Sequence, residues 1–208
     1  MNKLIVSLLL TMGITGAAVA AEGPLKGDAA AGQAKAAVCG ACHGPDGNSP
    51  APNFPKLAGQ GERYLTKQMQ DIKSGKRTVL EMTGLLANSS DQDLADIAAY
   101  FAKQKGSVGA ADPKLVARGE KLFRGGNLQD GLPACTGCHS PNGAGIEAAA
   151  FPHLSGQHAQ YIAKQLTDFR KEEGGRANDG DAMIMRTIAR KLSDEDIAAL
   201  SSYIQGLH

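Results

Sequence analysis

The chain has 208 residues, of which 42% are hydrophobic and 4% aromatic, with 26 glycines and no tryptophan. This length allows one ordinary domain or two small ones, and two such domains would have a thin core unless each buried a large apolar group. The formal net charge of +1 lacks the basic excess typical of nucleic-acid-binding proteins.

Residues 1–20 have the pattern of a signal peptide. Lys3 gives a positive start, residues 4–14 form an apolar run, and Ala18-Val19-Ala20 fits a cleavage site. The apolar run is shorter than the roughly 20 residues that a membrane helix needs. We therefore predict cleavage near Ala20/Ala21 and an exported, periplasmic protein without a membrane span. Peripheral association with a membrane surface stays open.

The first unit after this segment reads as helical. Asp28 is a candidate N-cap, and Ser90 with Asp93 three residues later forms a candidate capping box. A loop rich in Gly, Pro and Asn covers residues 44–52. Apolar residues recur at helical spacing in the stretches between the residues that interrupt helices, such as Gly and Pro. The predicted helices of the first unit are 28–38, 61–74 and 91–103.

The second unit repeats the first. The segment FPKLAGQ at 54–60 recurs as FPHLSGQ at 151–157, and two glycines, Gly32 and Gly119, hold matching places in the first helices. Because glycine inside a helix costs about 1 kcal/mol relative to alanine, its repetition predicts a close helix crossing. The predicted helices of the second unit are 113–123, 158–172 and 194–206, with Asp112 and Ser193 as caps.

These patterns predict an all-α protein built from a duplicated domain. We place the N-terminal domain at 21–106 and the C-terminal domain at 107–208. The connecting residues 106–111 are small, and we expect them to be flexible. A glycine-rich loop at 125–133 is present only in the second unit.

A Cys-x-x-Cys-His run follows the first helix of each unit. Positions three apart on a helical turn lie on one side, so both thiols can bond to the two vinyl groups of one porphyrin. The adjacent histidine is then carried under the iron as its proximal ligand. This spacing is the attachment signal of a c-type haem. We predict two covalent haem c groups, with thioether bonds from Cys39, Cys42, Cys135 and Cys138 and with His43 and His139 as iron ligands.

Two other uses of a Cys-x-x-Cys pair have to be weighed. Such pairs occur in thioredoxin-like redox sites and in structural zinc sites. One zinc ion would have to bring together two pairs that lie in separate repeats. Outside the cytoplasm, four cysteines usually form disulfides, whereas thioether bonds would use all four thiols. Two copies of the pattern, each followed by the same downstream sequence, favour haem.

Together, these features resemble the dihaem cytochrome c4 family, in which two small c-type cytochrome domains follow a signal peptide. The resemblance covers essentially the whole mature chain. It implies two cytochrome c-like domains, each wrapped around a haem, and haems that face one another across the domain interface. It also implies that Pro55 and Pro152 offer their carbonyl oxygens to the Nδ1–H of the proximal histidines. The partners that it implies are a quinol-oxidising complex as donor and a terminal oxidase as acceptor.

The second axial ligand of each iron has several candidates in the sequence. The repeat pairs Met82 with Met185, each at the same distance before the serine cap of the last helix, and thioether ligation is known for cytochrome c iron. Met69 matches a leucine and Met183 has no methionine opposite it. The histidine candidates have no counterpart in the first unit, whose one histidine is His43. We therefore predict Met82 and Met185, over Met69, Met183, His153, His158 and His208.

Arg77 and Arg176 come shortly after a glycine in both units, near the ends of matching helices. An arginine suits a carboxylate such as a haem propionate. The more frequent role of such a residue is a solvated surface charge, and this is the interpretation that we favour from the sequence.

With both axial positions filled, an iron changes oxidation state with little rearrangement and has no open site for substrate. The predicted function is electron transfer by a periplasmic carrier that is not an enzyme, with delivery to a terminal oxidase in a respiratory chain. The alternatives are a dihaem peroxidase-like enzyme, which needs one open iron site, and a haem subunit of a larger membrane oxidoreductase.

Overall fold

The computed structural model describes residues 25–208; the predicted signal segment 1–20 and its cleavage position lie outside the described residues. Within 25–208 the regular structure is helical, and no strand forms beyond two isolated bridges. The chain folds as two tandem helical domains of similar layout, as the repeat predicted. None of the helices in this part of the chain is both long and apolar enough to cross a bilayer.

The first domain contains four α-helices with short 3₁₀ segments. The predicted helix 28–38 begins at Asp28, whose side chain accepts from the amides of Ala30 and Ala31. After about two turns it tightens into a 3₁₀-helix, a common way for a helix to end. The elements are α1 (Ala29–Lys35), a 3₁₀-helix (Ala36–Cys39), α2 (Gly40–His43), α3 (Glu62–Lys73), a 3₁₀-helix (Leu80–Met82) and α4 (Asp91–Ala102).

The second domain repeats the order of the four α-helices and adds a fifth before the last one, whereas its single 3₁₀-helix lies at a different place. Pro113 occupies the first turn of its first helix, and Asp112 caps it by accepting from the amide of Lys114. The elements are α5 (Pro113–Gly125), α6 (Thr136–His139), a 3₁₀-helix (Glu147–Ala149), α7 (Ala159–Arg170), α8 (Ile184–Ala189) and α9 (Asp194–Gly206). Helix α8 was not predicted, because its six residues are too few to show a helical period.

A close crossing of the first and last helices organises each domain. A Cβ atom at Gly32 would lie 1.9 Å from the carbonyl oxygen of Asp96, and one at Gly119 would lie 2.4 Å from that of Ala199. Both distances are far below van der Waals contact, so only glycine allows α1 to meet α4, and α5 to meet α9, at this separation. The crossing predicted from the repeated glycines is confirmed.

Each domain has its own apolar core beside this crossing. Phe101 is 1% exposed in the first domain and Phe123 is fully buried in the second. The partly buried Cys39 and Met82 pack against the first core, and Cys135 packs against the second. The first cysteine of each motif therefore lies at the edge of the core of its own domain.

The segment between the domains is held rather than flexible, so that expectation is wrong. The amide of Ser107 donates to Asn48 Oδ1 at 2.7 Å, and the amide of Gly109 donates to the carbonyl oxygen of Gln205 at 3.1 Å. Asn48 belongs to the first domain and Gln205 to the second. The small residues allow the chain to lie close against both domains, where its backbone groups find partners.

Candidate functional site

Both Cys-x-x-Cys-His runs form short helical turns at the edge of a core. Cys39 and Cys135 are the N-cap residues of α2 and α6, and the histidine ends each helix. The four thiols are not paired as disulfides. Burial raises the pKa of Cys39, and it raises that of Cys135 to about 11. These thiols thus lack the lowered pKa of a thioredoxin-like nucleophile.

A shared zinc site also finds no support in the described residues. Among residues 25–208, no three His, Cys, Asp or Glu side chains are grouped so that they could hold one metal ion. A structural zinc site needs four such ligands around one ion. Each cysteine pair instead stays with the histidine of its own domain.

The proximal histidines are held in one tautomer. His43 Nδ1 lies 2.8 Å from the carbonyl oxygen of Pro55, and His139 Nδ1 lies 3.0 Å from that of Pro152. Because a carbonyl oxygen can only accept, Nδ1 carries the proton in both rings and Nε2 keeps its lone pair for a metal. These are the two hydrogen bonds that the family resemblance implied.

The surroundings of these rings keep them neutral. Both histidines are buried, at 8% and 7% exposure, and desolvation lowers their pKa more than the bond to the proline carbonyl raises it. Phe54 and Phe151 stand beside them, with ring centroids 6.2 and 6.3 Å from those of His43 and His139. A neutral imidazole with a fixed tautomer is the form that binds iron.

The residues at each motif therefore fit a covalent haem. Two thiols on one helical turn would supply the thioether bonds, and an oriented Nε2 would bind the iron. The domain core next to the cysteines supplies apolar surface. When bound, the group supplies one-electron redox chemistry; the chain supplies attachment, orientation and burial.

The predicted methionine ligands lie in different local structures. Met82 ends a 3₁₀-helix and is half-buried against the core that Cys39 also contacts. Met185 lies in α8 and is half-buried. Met183 precedes this helix with φ +49°, a left-handed conformation that is uncommon for methionine. Equal spacing in the sequence thus corresponds to unequal backbone geometry in the two domains.

The competing histidines are engaged elsewhere. His158 Nε2 lies 2.8 Å from the carbonyl oxygen of Ser49 in the other domain, and His158 is the N-cap residue of α7. His153 Nε2 lies 3.1 Å from the carbonyl oxygen of Ser155. Both imidazoles are thus engaged with backbone carbonyl groups of the fold.

Arg77 is not a solvated surface charge, so the favoured interpretation of this residue is wrong. Its guanidinium is half-buried and donates to Gln68 Oε1 at 2.9 Å within its own domain. It also donates to the Tyr161 hydroxyl and to Gln165 Oε1 of the other domain, both at 3.1 Å. The domain interface buries it, which no pattern within one unit could reveal.

Arg176 makes the equivalent contacts from the second domain. It donates to Gln165 Oε1 at 2.6 Å in its own domain, and to Gln68 Oε1 at 2.7 Å and the Tyr64 hydroxyl at 3.3 Å across the interface. Burial opposes ionisation of Tyr64, but Arg176 and Arg77 outweigh it and lower the pKa of this phenol. The repeated Tyr, Gln and Arg positions thus form one polar cluster between the domains.

The sequence carries a signal for this cluster in its repeated polar residues. Tyr64 and Gln68 recur at Tyr161 and Gln165 in the same helix of the second unit. Polar residues repeated at the same place in two units indicate a surface of one unit that meets the matching surface of the other.

The comparisons with known proteins agree with this architecture. A model of the cytochrome c family matches residues 29–105 and 116–208, one stretch in each domain. Cytochrome c4 of Pseudomonas aeruginosa is 77% identical over 208 residues, with 100% of both chains covered. Cytochrome c4 of Azotobacter vinelandii is 73% identical over 217 aligned positions, again with 100% of both chains covered.

The fold is also similar to a solved structure. The crystal structure of reduced recombinant cytochrome c4 from Pseudomonas stutzeri matches with a TM-score of 0.85 and 71% identity, over 88% of this chain and 100% of that chain. The two haem c groups predicted from the motifs accord with both the family and this fold. The chain belongs to the cytochrome c4 family of dihaem, c-type electron-transfer cytochromes.

Proposed function

We propose that this dihaem cytochrome is a periplasmic electron carrier, with an N-terminal domain at 21–106 and a C-terminal domain at 107–208. One iron is held by His43 and Met82, the other by His139 and Met185, and the four cysteines hold the two porphyrins. The observation that supports this most directly is the repeated hydrogen bond from the proximal imidazole to a proline carbonyl. It leaves the Nε2 lone pair of each ring available to one iron.

The proposed axial set explains why the protein carries electrons and does not transform a substrate. The thioethers of Met82 and Met185 would complete the ligation of the two irons and raise their reduction potentials. Electrons would then enter and leave without bond making at the metal. Each domain carries one electron. The interface between the domains holds the two haem sites in a fixed arrangement within one molecule.

The proposed partners are a quinol-oxidising complex as donor and a terminal oxidase as acceptor. Stopped-flow absorbance can follow reduction of the haem-loaded protein by the first complex and its oxidation by the second. We expect both reactions to be fast relative to respiratory turnover. A protein that is reduced but not oxidised by the oxidase would require a different acceptor.

The location and the ligands need separate measurements. Fractionation of native cells followed by N-terminal sequencing should find the protein in the periplasm, starting at Ala21.

A redox-titrated optical spectrum should show the Met–iron charge-transfer band for both haems. Rapid binding of carbon monoxide to either reduced iron would instead favour a peroxidase-like enzyme, and co-purification with a membrane oxidoreductase would favour a subunit role.

A further inference from the structure

Two buried glutamines end the repeated segments 54–60 and 151–157. Gln60 and Gln157 are each 7% exposed. Neither has a role in haem attachment or iron ligation. Each reaches across the domain interface and bonds to the backbone of the other domain, so the two contacts are related by the internal repeat.

Gln157 makes a two-point contact with one residue of the first domain. The amide N–H of Lys56 donates to Gln157 Oε1 at 2.9 Å, and Gln157 Nε2 donates to the carbonyl oxygen of Lys56 at 2.9 Å. Gln60 does the same in the opposite direction. The amide of His153 donates to Gln60 Oε1 at 2.8 Å, and Gln60 Nε2 donates to the carbonyl oxygen of His153 at 2.9 Å.

The contacted amide belongs to the peptide group that orients the proximal histidine. The N–H of Lys56 and the C=O of Pro55 are two ends of one planar peptide unit. Its oxygen accepts from His43 Nδ1 at 2.8 Å, while its N–H donates to Gln157. In the second domain, one peptide unit likewise joins His139, through the oxygen of Pro152, to Gln60.

Hydrogen bonds that follow one another through a shared peptide group strengthen one another. When the N–H of a peptide donates, electron density moves toward its oxygen, and each bond strengthens the next by roughly 10–30% in condensed phase. A better acceptor at Nδ1–H makes the imidazole a more basic ligand. A more basic ligand stabilises ferric over ferrous iron and therefore lowers the reduction potential.

We propose that each domain tunes the haem of the other through a single peptide group. Gln157 acts on the iron held by His43, and Gln60 acts on the iron held by His139. Both glutamines are positioning residues, since neither touches a haem ligand directly. The inference rests on the proposed function in one respect, that these histidines ligate the irons.

The test replaces Gln157 with methionine in the full-length, haem-loaded protein. Methionine keeps the length of the side chain but removes both the carbonyl acceptor and the amide donor. Spectroelectrochemical titration measures the two potentials. NMR assigns each haem to its domain through contacts of its protons with assigned residues of that domain. We expect Q157M to raise the potential of the first domain's haem and to leave that of the second unchanged.

The mirror variant and a matched control separate this relay from a loosened interface. Q60M should raise the potential of the second domain's haem alone. His158→Leu removes the neighbouring interdomain bond to the carbonyl oxygen of Ser49 but leaves the hydrogen bond of the Lys56 amide in place. This variant should therefore not raise the potential of the first domain's haem alone. A ¹⁵N spectrum of labelled histidine should show a weaker Nδ1–H bond at His43 in Q157M only.

The proposal depends on whether each glutamine variant changes the potential of the haem in the other domain alone. The proposal is overturned if Q157M leaves both potentials unchanged, shifts the potential of the second domain's haem alone, or shifts both potentials together. Failure of the proposed function looks different, because the wild-type protein would then lack two attached haems or their histidine-ligated spectra.

Discussion

Arg77 of the first domain donates to the hydroxyl of Tyr161 in the second, and Arg176 returns the contact to Tyr64. The two arginines therefore connect the domains through one cluster of charged and neutral groups. Hydrogen bonds to a charged group contribute about 1.5–3 kcal/mol each when they are well made. The cluster joins the two haem-bearing units with a defined orientation.

Replacement of both interface arginines should weaken the connection between the domains. In Arg77→Gln combined with Arg176→Gln, the shorter neutral side chains leave the Tyr64 and Tyr161 hydroxyls without their donors. We expect the free energy of unfolding to fall by more than about 3 kcal/mol, since several such bonds are lost. Urea unfolding of the haem-loaded protein measures this. Lys164→Gln, in an exposed pair with Asp168, should cost less than about 1 kcal/mol; equal losses in both variants would refute the role of the cluster.

The close helix crossing predicts a severe effect for one added methyl group. In Gly32→Ala, the new Cβ would lie 1.9 Å from the carbonyl oxygen of Asp96, so α1 and α4 must separate. Overpacking of this kind typically costs about 1–3 kcal/mol and at times more, and thermal unfolding of the first domain should report it. Gly125→Ala is the control, since no atom lies within 4 Å of a Cβ there. A first domain that tolerates Gly32→Ala as well as the control does would contradict the crossing.

The acid sensitivity of the first domain should depend on Asp96. The amide of Asp28 and the ammonium of Lys35 lower the pKa of this buried carboxyl to about 2, from an ordinary 3.8. A depressed carboxyl pKa stabilises the fold above the unfolded pKa, and this contribution is lost as the pH falls from about 4 to about 2. Asp96→Asn should lower stability at neutral pH and flatten the decline over that window.

Chemical denaturation of the haem-loaded protein at a series of pH values tests this linkage. The control is Asp91→Asn, an exposed position in the first turn of the same helix, which should keep the wild-type decline between pH 4 and pH 2. An unchanged slope in Asp96→Asn would show that the acid response arises elsewhere.

The iron ligands can be tested one domain at a time. Met82→Ala and Met185→Ala should each remove the Met–iron charge-transfer band of one haem and lower its potential, because the thioether that stabilises ferrous iron is lost. Absorbance of the oxidised protein and a redox titration measure the two effects. Met69→Leu, a change at a buried core position of α3, should retain both bands.

Met183→Leu distinguishes the two methionines that precede α9. If this variant, and not Met185→Ala, loses the band of the second haem, then the left-handed residue before α8 is the ligand. The repeat register would in that case fail in the second domain, where the local backbone differs from that around Met82.

The sequence by itself determined the features that depend on neighbours along the chain. Two Cys-x-x-Cys-His runs specify thioether chemistry within one helical turn, caps such as Ser90 mark helix starts, and a repeated glycine marks a crossing. These inferences succeed because a helical turn brings together residues three or four apart, whatever the rest of the fold does. The number and order of the domains follow from the repeat, because similar sequences fold into similar units.

Only the tertiary structure decided what the repeated polar residues contact. Arg77 reads as a surface charge within its own unit, yet its partners come from the other domain. The repeat shows that Gln157 and Gln60 are used twice, but it cannot show that each bonds to the peptide beside the other domain's proximal histidine. Such contacts depend on how two folded surfaces dock, and docking geometry is a property of the assembled molecule rather than of any local run of residues.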